Sequence, residues 1–210
     1  MRTLLLRQKF ITLLTLTYLL LSAPVIAGDS KTVLVMGDSL SAAYGIDNDA
    51  GWVSLLQKRL NDHSVHWQVV NASISGETTD GGLRRLPDLL DKHQPAVVII
   101  ALGANDGLRG FQPDAIEQRL AEMIELSQPA AEVLLLGIEI PPNYGAAYTS
   151  AFRNIYRHLA AKYDTALLPF MLDEVYDGNG MMQADGLHPT ALAQPKILDN
   201  IWPVLTPILD

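Results

Sequence analysis

The sequence predicts a three-layer α/β sandwich built on a parallel sheet. Two observations carry this reading. Short, unbroken runs of Val, Ile, Leu and Met recur along the chain, as expected of strands buried on both faces. Longer stretches with helical spacing alternate with them, which is the order of β-α-β units.

The first strand is Val33-Leu34-Val35-Met36, running without a break into Gly37-Asp38-Ser39-Leu40. Gly37 permits a tight turn and leaves open space beside the chain. Residues 51–63 then place Trp52, Val53, Leu55, Leu56 and Leu60 at helical spacing. A second strand over 65–70 ends in the small-residue loop Asn71-Ala72-Ser73-Ile74-Ser75-Gly76. Residues 78–93 read as a helix interrupted by Gly81-Gly82 and Pro87. The clearest buried strand covers 96–102 and ends in Gly103-Ala104-Asn105-Asp106-Gly107. Pro113 opens the next helix, with Asp114 in its first turn and Ile116, Leu120, Met123, Ile124 and Leu126 as its core face. A fourth strand over 133–140 is stopped by Pro141-Pro142. A helix over 147–163 buries Phe152, Ile155, Tyr156 and Leu159, and a short fifth strand follows at 166–168. Residues 181–190 form a loop, and 191–209 a final helix broken by prolines.

The first 27 residues are set apart as an export signal. Arg2, Arg7 and Lys9 form a positive start, and residues 10–21 are an apolar stretch interrupted by Thr12, Thr15 and Thr17. Val25-Ile26-Ala27 places short side chains where a signal peptidase reads. The apolar stretch is too short for a membrane span, and with 0 cysteines no lipid anchor can be attached at the cleavage site. Residues 28–210 are then one domain, exported to the periplasm or beyond without a stable membrane anchor. Their 12 basic residues against 23 acidic ones give a net charge of −11, which speaks against a nucleic-acid partner. The absence of cysteine excludes disulfides, thiol catalysis and thiolate metal sites.

In open α/β sheets ligands bind outside the carboxyl ends of the strands, so the loops there are the candidate site. Taken alone, Gly37-Asp38-Ser39 is an ordinary turn with a helix-capping serine. To act as a nucleophile Ser39 needs a base, and His188 is the best placed. His63, His66, His93 and His158 fall at helix ends, on helices or at a strand start, where solvated structural roles are expected. Asp185, three residues before His188, can fold its carboxylate back onto Nδ1 and fix the tautomer. Asp185-Gly186-Leu187-His188 also reads as a plain turn before a helix cap. Acyl transfer further needs donors for an oxyanion. The Ser39 N–H, the Gly76 N–H and the Asn105 side-chain amide are the candidates, although Asn105-Asp106-Gly107 by itself reads as a turn.

Together, Gly37-Asp38-Ser39-Leu40, Gly76, Gly103-x-Asn105-Asp106 and Asp185-x-x-His188 resemble the four blocks of the SGNH, or GDSL, hydrolase superfamily. The likeness extends to Val70-Asn71-Ala72-Ser73-Ile74-Ser75-Gly76, the segment from Asn105 to Phe111, Pro142-Asn143-Tyr144-Gly145 and Leu168-Pro169-Phe170. These are similar to the exported bacterial thioesterase and lysophospholipase group of that superfamily. The resemblance implies a flavodoxin-like sheet of five parallel strands and a serine hydrolase that uses no metal or cofactor. It also implies an acyl-enzyme on Ser39 and broad action on small-molecule acyl esters, thioesters and lysophospholipids; a monomer is expected. Ala104 departs from the glycine of many relatives, and its methyl narrows the site.

The acyl groove is expected from Ile74, Leu108, Phe111, Ile140 and Tyr144, in loops that mix apolar residues with glycine and proline. Two other readings are weighed. A deacetylase acting on cell-envelope carbohydrate would use the same triad but lacks room here for an added domain. A binding module that has lost catalysis would have no use for Asp185-x-x-His188.

Overall fold

The structure, a computed structural model, describes residues 30–63 and 66–209. The segment read as an export signal and Val65, where the second strand was expected to begin, lie outside them. Among the described residues five strands form one parallel sheet: β1 (Lys31–Gly37), β2 (Trp67–Asn71), β3 (Val97–Ala101), β4 (Glu132–Leu136) and β5 (Ala166–Leu168). Their order is β2-β1-β3-β4-β5, with Val33 opposite Val69 on one side and Val97 on the other. The direction of winding reverses between β1 and β3, where the crevice of such a sheet opens.

The helices are α1 (Trp52–Asp62), α2 (Thr79–His93), α3 (Ala104–Leu108), α4 (Pro113–Ser127), α5 (Ala146–Tyr163) and α6 (Gln194–Leu205). α1 packs with α6, and α4 packs between α2 and α5, giving a helical layer on each face of the sheet. β3 is buried along its whole length because both layers cover it. Each fully buried Val or Ile there contributes about 1.5–3 kcal/mol.

Five expectations are corrected. α2 runs unbroken through Gly81, Gly82 and Pro87. The Thr78 side chain caps it by accepting from the Gly81 N–H, Pro87 lies on its exposed side, and a Cβ on Gly82 would meet Leu102 Cδ1 at 2.4 Å. The missing side chain therefore lets α2 press against the segment after β3. Leu126 is exposed rather than part of the α4 core face, since it falls off the stripe of Ile116, Leu120, Met123 and Ile124. The strand expected over 133–140 leaves the sheet at Leu136. Gly137 still donates to the Leu168 carbonyl, but Pro169 O lies 2.2 Å from where its Cβ would be. Ile138 and Ile140 beyond it are buried for another reason, given below. Gly37 has no open space beside it either: a Cβ would fall 2.6 Å from Ser41 Oγ and 2.8 Å from Ser73 Oγ. Finally, Pro195 stands in the first turn of α6 and Pro203 inside it, without breaking it.

Candidate active site

Ser39 follows β1 in a run of turns closed by Ala42 and Ser41 N–H groups donating to the Asp38 carbonyl. Its Oγ is 2.9 Å from His188 Nε2, although 149 residues separate the two in sequence. His188 Nδ1 is 2.7 Å from Asp185 Oδ2, while Asp185 Oδ1 accepts the backbone N–H groups of Leu187 and His188 at 2.9 and 3.0 Å. With Nδ1–H donating to a carboxylate, Nε2 carries the lone pair that faces the serine hydroxyl. The His188 N–H, then the side-chain bond to His188, then the Leu187 N–H hold Asp185 down to about 2. The carboxylate is thus ionised throughout the neutral range, although its side chain is 40% exposed.

The loop carrying both residues is fastened at several points. Met182 and Pro189 form an antiparallel bridge, and the Gln183 N–H donates to the His188 carbonyl at 2.7 Å. Gln183 Nε2 donates to the Tyr44 and Pro189 carbonyls, and the Tyr44 ring lies 4.4 Å from the imidazole. Gln194, buried just beyond the loop, accepts the Trp52 N–H at the start of α1.

Asn105 lies in α3, a single helical turn where a loop was expected. Two features place it, and neither was read from the sequence. Gly103 adopts φ +118°, and a Cβ there would lie 2.4 Å from Tyr156 Oη, which donates to the Leu102 carbonyl at 2.9 Å. The neighbouring Asp106 is fully buried and accepts both the N–H and the hydroxyl of Thr79, at 2.9 and 2.6 Å. Asn105 Nδ2 donates to Asp38 Oδ2 at 3.2 Å and keeps a second N–H. Gly76 has φ +79° and no atom within 4 Å of a would-be Cβ, so a ligand can approach its backbone. Its carbonyl accepts from Arg109 at 3.1 Å. Among the described residues, neither the Ser39 nor the Gly76 N–H is used in an internal hydrogen bond.

A cavity of about 380 Å³ opens beside Ser39, Asn105 and His188. Its apolar wall comes from Leu108, Ile138, Ile140, Phe170, Leu172 and Leu187. Leu108 and Ile140 are where the sequence put them. Ile74, Phe111 and Tyr144 do not line it, and each has a reason. Ile74 follows β2, on the edge of the sheet away from β4 and β5, and is exposed. Phe111 is turned outward and exposed, and the Tyr144 hydroxyl is tied to the Leu108 carbonyl at 2.7 Å. Residues 137–140, expected to end the fourth strand, instead form part of the cavity wall: Ile138 and Ile140 are buried there, and Glu139 between them pairs with Arg153. Asp173, Glu174 and Asp177 also border the cavity, the Glu174 carboxylate being paired with Lys196. Among the described residues no cluster of His, Cys, Asp or Glu is placed to hold a metal ion, and no helix is long and apolar enough to cross a membrane.

Over most of its length the chain is similar to known proteins. The profile described as the GDSL-like Lipase/Acylhydrolase family matches residues 35–194. The chain is 52% identical to Esterase TesA of Pseudomonas aeruginosa over 181 residues, covering 86% of this chain and 90% of the relative. It is 45% identical to Thioesterase 1/protease 1/lysophospholipase L1 of Escherichia coli K12 over 185 residues, covering 88% of each. A crystal structure of TesA superposes with a TM-score of 0.83 at 55% identity, covering 85% of this chain and 99% of that one.

Proposed function

The chain belongs to the GDSL-like lipase/acylhydrolase family, and on that premise we propose that Ser39, His188 and Asp185 are its catalytic triad, with the Ser39 and Gly76 N–H groups and the Asn105 amide as its oxyanion donors. The observation that carries this is the continuous line Ser39 Oγ–His188 Nε2, 2.9 Å, and His188 Nδ1–Asp185 Oδ2, 2.7 Å.

The chain is a serine hydrolase of esters and thioesters, and the geometry suggests how it works. Ser39 Oγ bonds to the acyl carbonyl carbon as its proton passes to His188 Nε2. The carbonyl π pair moves onto the oxygen, where the three N–H donors meet it. Asp185 holds the imidazole in the accepting tautomer and then balances the imidazolium. Collapse of the tetrahedral intermediate breaks the bond to the leaving oxygen or sulfur, which takes the proton from Nε2. A water molecule then repeats both steps on the acyl-enzyme, releasing the acid and regenerating Ser39.

The apolar wall suits an acyl chain, which gains about 0.8 kcal/mol for each methylene fully buried. Substrates are accordingly acyl esters, acyl thioesters and lysophospholipids, the activities printed in the relatives' names. All the groups come from one chain, so a monomer is complete. Residues 1–27 are proposed to direct export and to be removed, which amino-terminal sequencing of the secreted protein tests. The triad is tested by labelling with a fluorophosphonate and mapping the modified residue. Ser39 alone should be labelled, and Ser39→Ala should lose several powers of ten in kcat. Labelling of another serine, or an active Ser39→Ala, would overturn the assignment.

A further inference from the structure

Asp38 is a buried carboxylic acid that the mechanism above does not use. It is 1% exposed and stands between the last residue of β1 and the nucleophile. Its Oδ1 accepts the Leu40 N–H at 3.0 Å, which holds the turn around Ser39. Its Oδ2 accepts from Asn105 Nδ2 at 3.2 Å, across 67 residues of sequence. Asp38 is therefore the polar link between the nucleophile turn and the side-chain donor of the oxyanion hole.

Holding a turn does not require a buried charge. Serine or asparagine would accept the Leu40 N–H as well. Burial works against the ionised form and pushes the Asp38 carboxyl up to about 6, with the Leu40 N–H, His188 and Asn105 acting in the opposite direction. The ionised group does have one property that serine and asparagine lack: both of its oxygens only accept. A side-chain amide has nearly the same shape in its two orientations, one presenting N–H and the other C=O. Opposite a group that only accepts, Asn105 is held with its NH₂ toward Asp38, and its second N–H remains available to a ligand. The flipped amide would set its carbonyl against the carboxylate and turn the wrong end toward a developing oxyanion.

We propose that Asp38 is a positioning residue that selects the donating orientation of the Asn105 amide and thereby keeps the oxyanion hole assembled. The proposal rests on Asn105 being an oxyanion donor. Asp38→Asn is the sharpest perturbation, because it keeps size, shape and an acceptor for Leu40 but offers Asn105 a donor that invites the flip. It should lower kcat at least tenfold, within the roughly 10²–10³ that loss of one donor costs, and leave KM within about twofold.

The decisive experiment is a double-mutant cycle with Asn105→Ala, read as kcat and KM on one p-nitrophenyl ester, with folding checked by circular dichroism. If Asp38 acts through Asn105, Asp38→Asn should change kcat by less than about twofold once Asn105 is alanine. Independent, multiplicative losses would overturn the positioning role while leaving Asn105 in the oxyanion hole. A wild-type kcat for Asn105→Ala would remove both readings. Should Asp38→Asn fail to fold, Asp38→Ser, which keeps an oxygen for the Leu40 N–H but is too short to reach Asn105, replaces it in the same cycle with the same expectations.

Discussion

Replacing Gly103 by alanine tests how the fold places the oxyanion donors. The residue has φ +118°, where an L-side chain is strained by about 1–3 kcal/mol. The added Cβ would also fall 2.4 Å from Tyr156 Oη, inside a packed region, and overpacking of this kind costs about 1–3 kcal/mol. Together these predict a loss of about 2–6 kcal/mol, or roughly 5–20 °C in Tm for a chain of this size. The strain lies two residues before Asn105, so kcat should also fall while KM changes less. The two contributions can be separated. Tyr156→Phe removes Oη and leaves only Cζ, 3.5 Å from the new Cβ, an ordinary contact. By itself it should cost about 1–3 kcal/mol, because the buried Leu102 carbonyl loses its donor. In that background Gly103→Ala should cost only the backbone share. Urea unfolding of the four proteins measures the cycle. Equal costs of Gly103→Ala with tyrosine and with phenylalanine at 156 would refute the steric part. No loss in either would refute the whole account.

Three further outcomes follow from the site. Asp185→Asn should keep the fold, with a urea midpoint lowered only by the screened stabilisation of this half-exposed carboxylate, yet lose about 10⁴ in kcat, since the amide no longer enforces the accepting tautomer; steady-state kinetics decide it. The pH dependence of stability should show two opposite slopes. Asp38, raised to about 6, destabilises the ionised fold by up to about 3 kcal/mol, and this is relieved as pH falls from above 6 toward 4; Asp185, lowered to about 2, stabilises above pH 4, and that contribution fades as pH falls toward 2. Urea midpoints between pH 8 and 4 should therefore slope less in Asp38→Asn than in wild type. On p-nitrophenyl esters, kcat/KM should rise from acetyl to medium chains and then level off, because the cavity is apolar but open to solvent; a strict acetyl preference would favour the carbohydrate deacetylase reading.

The layered sheet was legible because parallel strands buried on both faces leave an unbroken apolar signature, most plainly at Val97–Ala101. Asp185 and His188 were legible because three residues of spacing suffice to describe their contact. What stayed hidden depends on side chains that meet across long separations: Asp38 with Asn105, Thr79 with Asp106, Tyr156 with the Leu102 carbonyl. No local pattern marks such pairs. The apolar run through Ile138 and Ile140 reads as strand because residues lining an apolar cavity are as apolar as those of a buried strand. The close approach of Pro169 to Gly137, where the chain leaves the sheet, belongs to the folded chain alone.

Asp185 and His188 ride on one clip, pinned by the Met182–Pro189 bridge and by Gln183 to Tyr44. The base and its carboxylate are thus present or absent together, and neither can be lost without the other when this segment opens. The clip is a surface loop, with Asp185, Gly186 and Leu187 exposed, so its local unfolding free energy lies below that of the buried sheet. Heat or denaturant should silence individual molecules one at a time, in an all-or-none manner, while β1 and β3 still resist amide exchange. Residual activity would then count the molecules whose clip is closed, not how well each one works.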